Sequence, residues 1–586
     1  MPHYPSLRGQ LTEQDVIDSF GGYDHRLRIR DGAWYDTRNL TSDFAPMPAS
    51  RAARGFTHRQ AAALLEKDAL AYVSPEGTLY YNFRPTAVTG LSRGEKQLVG
   101  MGAYLLIFPD KIYFNTADES DWGSMEAHYR AQSAVYEMCR FDGSVIRPDW
   151  VQSSEPEDPA NAAWWIDTAD EKHVLRQWSE AVGEWLSVES VYIRISFPTM
   201  GAVPRLFAVN DGVTIRGASV ESVNGEKLIA ALGGGGDEQD WILIPGLLEQ
   251  RTEDGAITLE RCVPELDFVC ECQNRLWGCR YGLDENGEAV NEILCCALGD
   301  FRNWRQFAGL STDSWRGAVG SDGQWTGAAS YLGHPTFFKE NRIHRVSVSA
   351  DGAHEISETV CRGVQKGSAK SLVVVNETLY YLSRSDVCAY QGGFPIGVSA
   401  ELGGESLRDG VAGSAGGKYY LSVLRADGSA ALFVYDIARS LWLREDETRV
   451  TQFARVDDEL YAIADGEIIT MRGSLPLGDS TREETIEWMA ESGLLSYRMP
   501  ENKRVSRYNL RLALAPDAQV LVEIEYDSDG VWRRVGEIRA AKGGCGSYLI
   551  PVRPHRCDHL RLRLTGSGEM KLYSIARLLE MGSDYR

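Results

Sequence analysis

Asn274-Arg-Leu-Trp-Gly-Cys279 opens on a polar turn residue, passes through an aliphatic and an aromatic side chain, and runs on as a short strand. The same layout returns at Asn341-Arg-Ile-His-Arg-Val346, Asn376-Glu-Thr-Leu-Tyr-Tyr-Leu382, Gly416-Gly-Lys-Tyr-Tyr-Leu421 and Asp458-Glu-Leu-Tyr-Ala-Ile463. Its aligned members Leu276, Ile343, Leu379, Lys418 and Leu460 stand 67, 36, 39 and 42 residues apart. Repetition near forty residues with four short strands per unit predicts propeller blades, the wide first gap holding one ordinary blade plus an extended loop. Weaker copies at Thr78-Leu-Tyr-Tyr-Asn82 and Asp110-Lys-Ile-Tyr-Phe114 predict a ring that starts near the N-terminus and is interrupted.

The chain has 586 residues, enough for several sizeable cores. Its 61 basic and 83 acidic residues leave a formal charge of −22, which argues against a broad phosphate-binding face. Like charges would let DNA pass such a surface without sticking. Eleven cysteines, scattered from Cys139 to Cys557, do not form the dense, evenly paired framework of a small secreted domain, so reduced cytosolic assembly is expected. The opening Met1-Pro-His-Tyr-Pro-Ser lacks a basic-then-apolar layout, and no apolar run reaches the roughly 18–20 residues of a membrane span, so neither export nor anchoring is expected.

An all-β-dominated chain follows: a β-propeller interrupted by a small β-rich insert, then a C-terminal antiparallel, jelly-roll-like β-sandwich. Residues 1–60, rich in turn formers such as Asp31-Gly32, Pro46 and Pro48, are expected as an extended segment, and 61–117 as the first blades. Residues 118–258 lose the repeat. There Glu171–Glu189 spaces Val174, Leu175, Trp178, Val182, Trp185 and Leu186 as an amphipathic helix would, ahead of a small β-barrel-like module. Blades resume over 259–475, and alternating strands such as Val520–Trp532 and His559–Leu564 place the sandwich in 476–586.

Candidate chemistry is sparse. Cys270, Cys272, Cys279, Cys295 and Cys296 crowd one blade, but Cys-x-Cys and Cys-Cys lack the gap of a thiolate zinc site, so they are expected as small buried apolar groups. His555, Cys557 and His559 alternate and would share a strand face, yet follow Pro554 as a loop entering a strand; a metal role is left open for both groups. Ser321-Asp-Gly-Gln-Trp325 and Asp527-Ser-Asp-Gly-Val-Trp532 differ in spacing from sialidase-type loops and fit Asp-Gly turns before a packed aromatic. Carboxylate pairs for glycoside cleavage cannot be chosen from 83 acidic residues because their separation is spatial. No catalytic, cofactor-binding or metal residue is therefore named, and no enzymatic activity is expected.

Gly21-Gly-Tyr-Asp-His25, Trp34 through Pro48 and Arg51-Ala-Ala-Arg-Gly55 resemble the opening of bacteriophage tail proteins of the propeller-bearing nozzle or hub ("stabilisation protein") type. Asp300-Phe-Arg-Asn-Trp304, Phe337-Phe-Lys-Glu340 and the ending Ser574-Ile-Ala-Arg577 with Gly582-Ser-Asp584 are similar to those proteins too. The resemblance implies a structural virion protein, assembled in the bacterial cytoplasm, with copies in a cyclic ring, a hexamer by analogy, around the DNA exit channel. It would hold neighbouring tail or connector proteins, let DNA pass, and enter no membrane. The alternatives are a glycan-binding receptor-recognition protein, which would cluster aromatic side chains in one solvent-facing pocket, and a glycan-cleaving propeller enzyme, which would pair carboxylates at the propeller mouth.

Overall fold

The computed structural model describes residues 12–284, 287–349, 352–495 and 502–581. Six four-stranded sheets take the chain through 63–85, 97–124, 268–318, 327–360, 373–397 and 408–446, and a seventh sheet, of five strands, joins 450–470 to Gly55–Gln60 and Thr481–Arg482. In each, the first strand is innermost. Those inner strands abut one another around the ring, from Ala63–Lys67 through Gln97–Met101, Phe268–Glu271 and Gly327–Tyr331, and again from Arg408–Ala415 to Val450–Val456 and back to Ala63–Lys67. This is a seven-bladed propeller. Side chains alternate across each strand, so every blade buries both faces against its neighbours. Leu105, Ile107 and Phe114 fill the gap between blades one and two, and Phe337 with Val346 the gap between blades three and four.

The repeated turns are tight hairpins. Leu332-Gly333, Asn376-Glu377 and Gly416-Gly417 each place both loop residues at positive φ, the backbone of a type I′ turn whose twist matches the paired strands. Asn274, Asn376, Gly416 and Asp458 all lie between the first and second strands of their blades. Asn341 does not: it joins the second and third strands of blade four, so part of the 67-residue gap is this change of position. The rest is the prolonged hairpin Leu276–Leu283 with Ala289–Cys295 and the loop 296–314.

The expected extended N-terminal segment is corrected. Thr12–Ile17 pairs with Met570–Met581, Trp34–Arg38 with Glu487–Ser492, and Leu40–Thr41 with Ala49–Ser50 beside Met570–Met581. These strands complete the two sheets of the sandwich, whose core includes Trp488, Tyr508, Leu510, Val522, Leu564 and Leu572. Apart from the Leu40–Thr41 hairpin with Ala49–Ser50, their partners lie more than 400 residues away, so no local pattern announces them. Gly55–Gln60 then pairs antiparallel with Glu467–Thr470 and closes the ring.

The expected helix over 171–189 is also corrected. Val174–Ser179 and Glu184–Ser187 form an antiparallel hairpin, with Gly183 at φ 72° inside its turn. The three-and-four spacing arises because Leu175 faces the core and Trp178 opposes Trp185 across the pair. The insert, 127–261, holds two larger sheets around one core, this smaller sheet, and the single helical turn Val203–Leu206.

Propeller and sandwich meet over buried charge. Arg54 bonds Glu445 at 2.7 Å and Asp446 at 2.8 Å, Arg51 bonds Glu483 at 2.6 Å, and Arg444 bonds Asp36 at 2.8 Å. Burial alone would raise the Asp446 and Glu483 pKa values; Arg54 and Arg51 outweigh it and leave both below the ordinary carboxylate range. Groups depressed in the folded state add stability above their unfolded pKa, about 4, and lose it as pH falls through the folded pKa. Acid titration followed by circular dichroism is expected to show stability falling away below about pH 4, and Arg54→Ala to reduce that dependence to the part carried by Glu483 and Arg51. Arg54→Ala is expected to cost about 3–5 kcal/mol by leaving Glu445 and Asp446 buried without their partner, read as a lowered denaturant midpoint.

Candidate functional site

At the end of the ring where the inner strands begin, a cavity of about 600 Å³ opens over the central channel. Its wall comes from the segments leading into the inner strands of blades two, three and five, and from the turn between the second and third strands of blade two. Apolar surface is supplied by Leu98, Phe108, Pro264, Leu266 and Phe268, and charge by Glu95, Lys111, Glu265, Asp267 and Lys370. That volume and this mixture suit a ligand of one to a few rings.

The charged groups are held from different blades. Lys370, ahead of blade five, reaches Glu95, ahead of blade two, at 2.6 Å and the Thr451 carbonyl of blade seven at 3.4 Å. This bar ties opposite parts of the mouth together. Lys111 bonds Glu265 at 2.6 Å and Glu126 at 2.9 Å; burial lowers its pKa, but these hydrogen bonds outweigh that and raise it. Gln97 donates to the Val269 carbonyl at 2.8 Å and so locks the leading ends of blades two and three side by side.

Asp267 differs from its neighbours. Solvent reaches it from the cavity, yet the protein wall around it excludes enough water to push its pKa up against the one donor that opposes the shift, the Tyr281 N–H at 2.8 Å. The mouth thus holds one carboxyl whose pKa is raised, together with carboxylates that lysines pair. None of these residues stands out in the sequence; what marks them is their place just ahead of an inner strand, which is known only once the blades are phased.

Elsewhere, Ser321 Oγ lies 2.9 Å from His344 Nε2, and Glu358 Oε2 lies 3.0 Å from the same nitrogen. A nucleophilic triad needs serine and acid on opposite ring nitrogens, and here the buried Nδ1 has no partner. Burial lowers the His344 pKa despite Glu358. The group is a buried polar brace, shared with Lys339, which lies 4.5 Å over the Trp325 ring.

The cysteines pack as small apolar groups. Cys270, Cys272, Cys279 and Cys295 lie in the core between blades three and four, while Cys296 lies in that between blades two and three. Burial pushes the Cys295 thiol up to about 11, out of the range of a reactive thiolate. His555 stacks on Tyr526, Cys557 points to the Lys503 carbonyl, and His559 bonds Ser528 and Asp558, so the three do not converge.

No family model matches the chain, and no curated protein matches it. Among solved structures it is similar to an exo-β-1,3-galactanase from Phanerochaete chrysosporium with galactose, at 9% identity over 53% of this chain and 94% of that one, TM-score 0.22. It is similar to apo AztD from Citrobacter koseri, at 9% identity over 86% and 99%, TM-score 0.25. A GH43 glycoside hydrolase engineered to show both endo-xylanase and exo-arabinofuranosidase activity matches at 9% identity over 54% and 97%, TM-score 0.20. The expectation of a tail nozzle or hub subunit without enzymatic activity finds no counterpart among them: two of the three named structures are glycoside hydrolases. At such identities and TM-scores the likeness says nothing about individual residues, and the chemistry must come from the site itself.

A fluorophosphonate probe is expected to leave Ser321 unlabelled by mass spectrometry, because no free imidazole nitrogen is placed to take its proton; labelling at Ser321 would make it a nucleophile.

Proposed function

We propose that this chain is a glycan-cleaving propeller that takes a saccharide into the channel mouth. The observation that carries this is the difference in setting between two of the mouth's carboxyls: burial raises the Asp267 pKa, while Glu95 is paired with Lys370. Hydrolysis of a glycosidic bond needs one carboxylic acid to protonate the leaving oxygen and one carboxylate to activate water or attack the sugar carbon. Asp267 takes the first role and Glu95 the second, with Lys370 holding the Glu95 carboxylate in place. Phe108 and Phe268 offer apolar surface to the C–H faces of a sugar ring, and the charged rim offers partners to its hydroxyls.

Reducing-sugar release from neutral oligosaccharides tests this. Asp267→Asn and Glu95→Gln are each expected to lower kcat by about 10²–10⁴-fold with the fold intact. The acid must be protonated to act, so activity is expected to decline as pH rises through the Asp267 pKa, a limb displaced above the ordinary carboxylate value of about 3.9. Absence of turnover on α- and β-linked substrates alike, or full activity in both variants, would defeat the assignment.

A further inference from the structure

The insert's smallest sheet is built from Trp150–Gln152, Trp164–Asp167, Val174–Ser179 and Glu184–Ser187. Its register sets Trp150 beside Trp165, Trp165 beside Arg176, and Trp178 opposite Trp185. Ile166 and Leu175, fully buried in the insert's core, define the inward face. By alternation, Trp150, Trp165, Arg176, Trp178 and Trp185 all belong to the other face. A sheet covered on one side ordinarily turns polar residues outward; this one turns four indoles.

The indoles form one interlocked surface. Trp185 meets Trp150, Trp165 and Trp178 edge to face, with centroids 6.0, 5.4 and 5.5 Å apart. Trp150, Trp178 and Trp185 stay partly open to solvent, while Trp165 is covered. Arg176 lies 5.6 Å over the Trp165 ring and bonds Asp167 at 3.0 Å. The buried Trp185 Nε1 has no acceptor, so the cluster is not arranged for internal satisfaction alone.

We infer that this face is a binding platform for a neutral polysaccharide, an inference that rests on the glycan reading of the mouth and assigns a second site for the same class of ligand. Indole faces are electron-rich and accept the C–H faces of pyranose rings. Asp167 already neutralises the one cation on the face, so no anion is called for. The chain's charge of −22 disfavours an acidic polymer. The insert that carries the platform is joined to the mouth, because Lys111 of the cavity grips Glu126 and Glu265, which flank the two ends of the insert. A polymer held on the insert is thereby tethered to the module that enters the channel wall.

Affinity electrophoresis of the full chain in gels carrying soluble β-glucan, xylan or galactan tests the platform. Wild type is expected to be retarded by at least one. Trp178→Ala is expected to weaken that retardation about tenfold, the effect of one lost stacking contact, and Trp178→Phe to retain most of it, while both keep turnover of a short oligosaccharide. Asp267→Asn is expected to be retarded like wild type. Retention sensitive to Trp178 without hydrolysis in any form would sink the mouth assignment and leave the platform standing. Four results would overturn the platform: no retardation of wild type, unchanged retardation in folded Trp178→Ala and Trp150→Ala, loss of oligosaccharide turnover along with retention, or light scattering that shows wild-type self-association lost in these variants.

Discussion

One six-residue strand holds the architecture together. Gly55–Gln60 pairs with the last of three strands that begin at Val450 and carries Thr481–Arg482 on its other edge, and without it the ring has no covalent route back to its start. Thr57 Oγ1 donates to the Ile468 carbonyl at 2.6 Å, and the Gly55 N–H to Thr470 Oγ1 at 3.1 Å. Gly55 is needed for a plain reason: a Cβ there would press into Thr470 Oγ1 and the Ser474 carbonyl. Upstream of the strand, Arg51 and Arg54 enter the Glu445, Asp446 and Glu483 cluster, so ring closure and docking of the sandwich are one event. Buried ion pairs contribute little net stability over an apolar substitute, but an unmatched member is severely penalised. The network therefore acts chiefly to exclude every other seating of the N-terminal segment.

That closure determines what the mouth can be. The cavity lies where the leading segments of blades two, three and five meet at one rim. Residues far apart in sequence become neighbours there: Glu95 and Lys370 form an ion pair, and Gln452 of blade seven reaches the Leu64 carbonyl of blade one at 2.7 Å. Rigid blades hold these groups so that the local exclusion of water, rather than sequence context, raises the Asp267 pKa. The insert shares in this, since Asn303 of blade three donates to the Asn210 carbonyl and accepts from the Gly212 N–H, bracing the insert against the propeller.

The turn residues were the legible part. Asn376-Glu377 and Gly416-Gly417 adopt left-handed backbone that few residues tolerate, and the aromatic strands that follow must pack between blades, so the hairpins announce themselves locally. Phasing was less legible, because Asn341 has the same chemistry in a different turn of its blade. The apparent helix at Glu171–Glu189 failed for a related reason. Apolar residues three and four apart also fit a hairpin whose two faces are both apolar, and the Trp-bearing face hid the alternation that would have revealed a strand.

By itself the sequence determined a chain of tight β-hairpins, interrupted once and ending in an alternating sandwich, because turn chemistry and side-chain alternation act over a few residues. Only the tertiary structure decided that the blades number seven, that the strands between residues 12 and 50 belong to the last domain, and that Asp267, Glu95 and Lys370 share one mouth. Those outcomes depend on pairings between residues hundreds of positions apart and on the solvent excluded when they meet, quantities that no local pattern encodes.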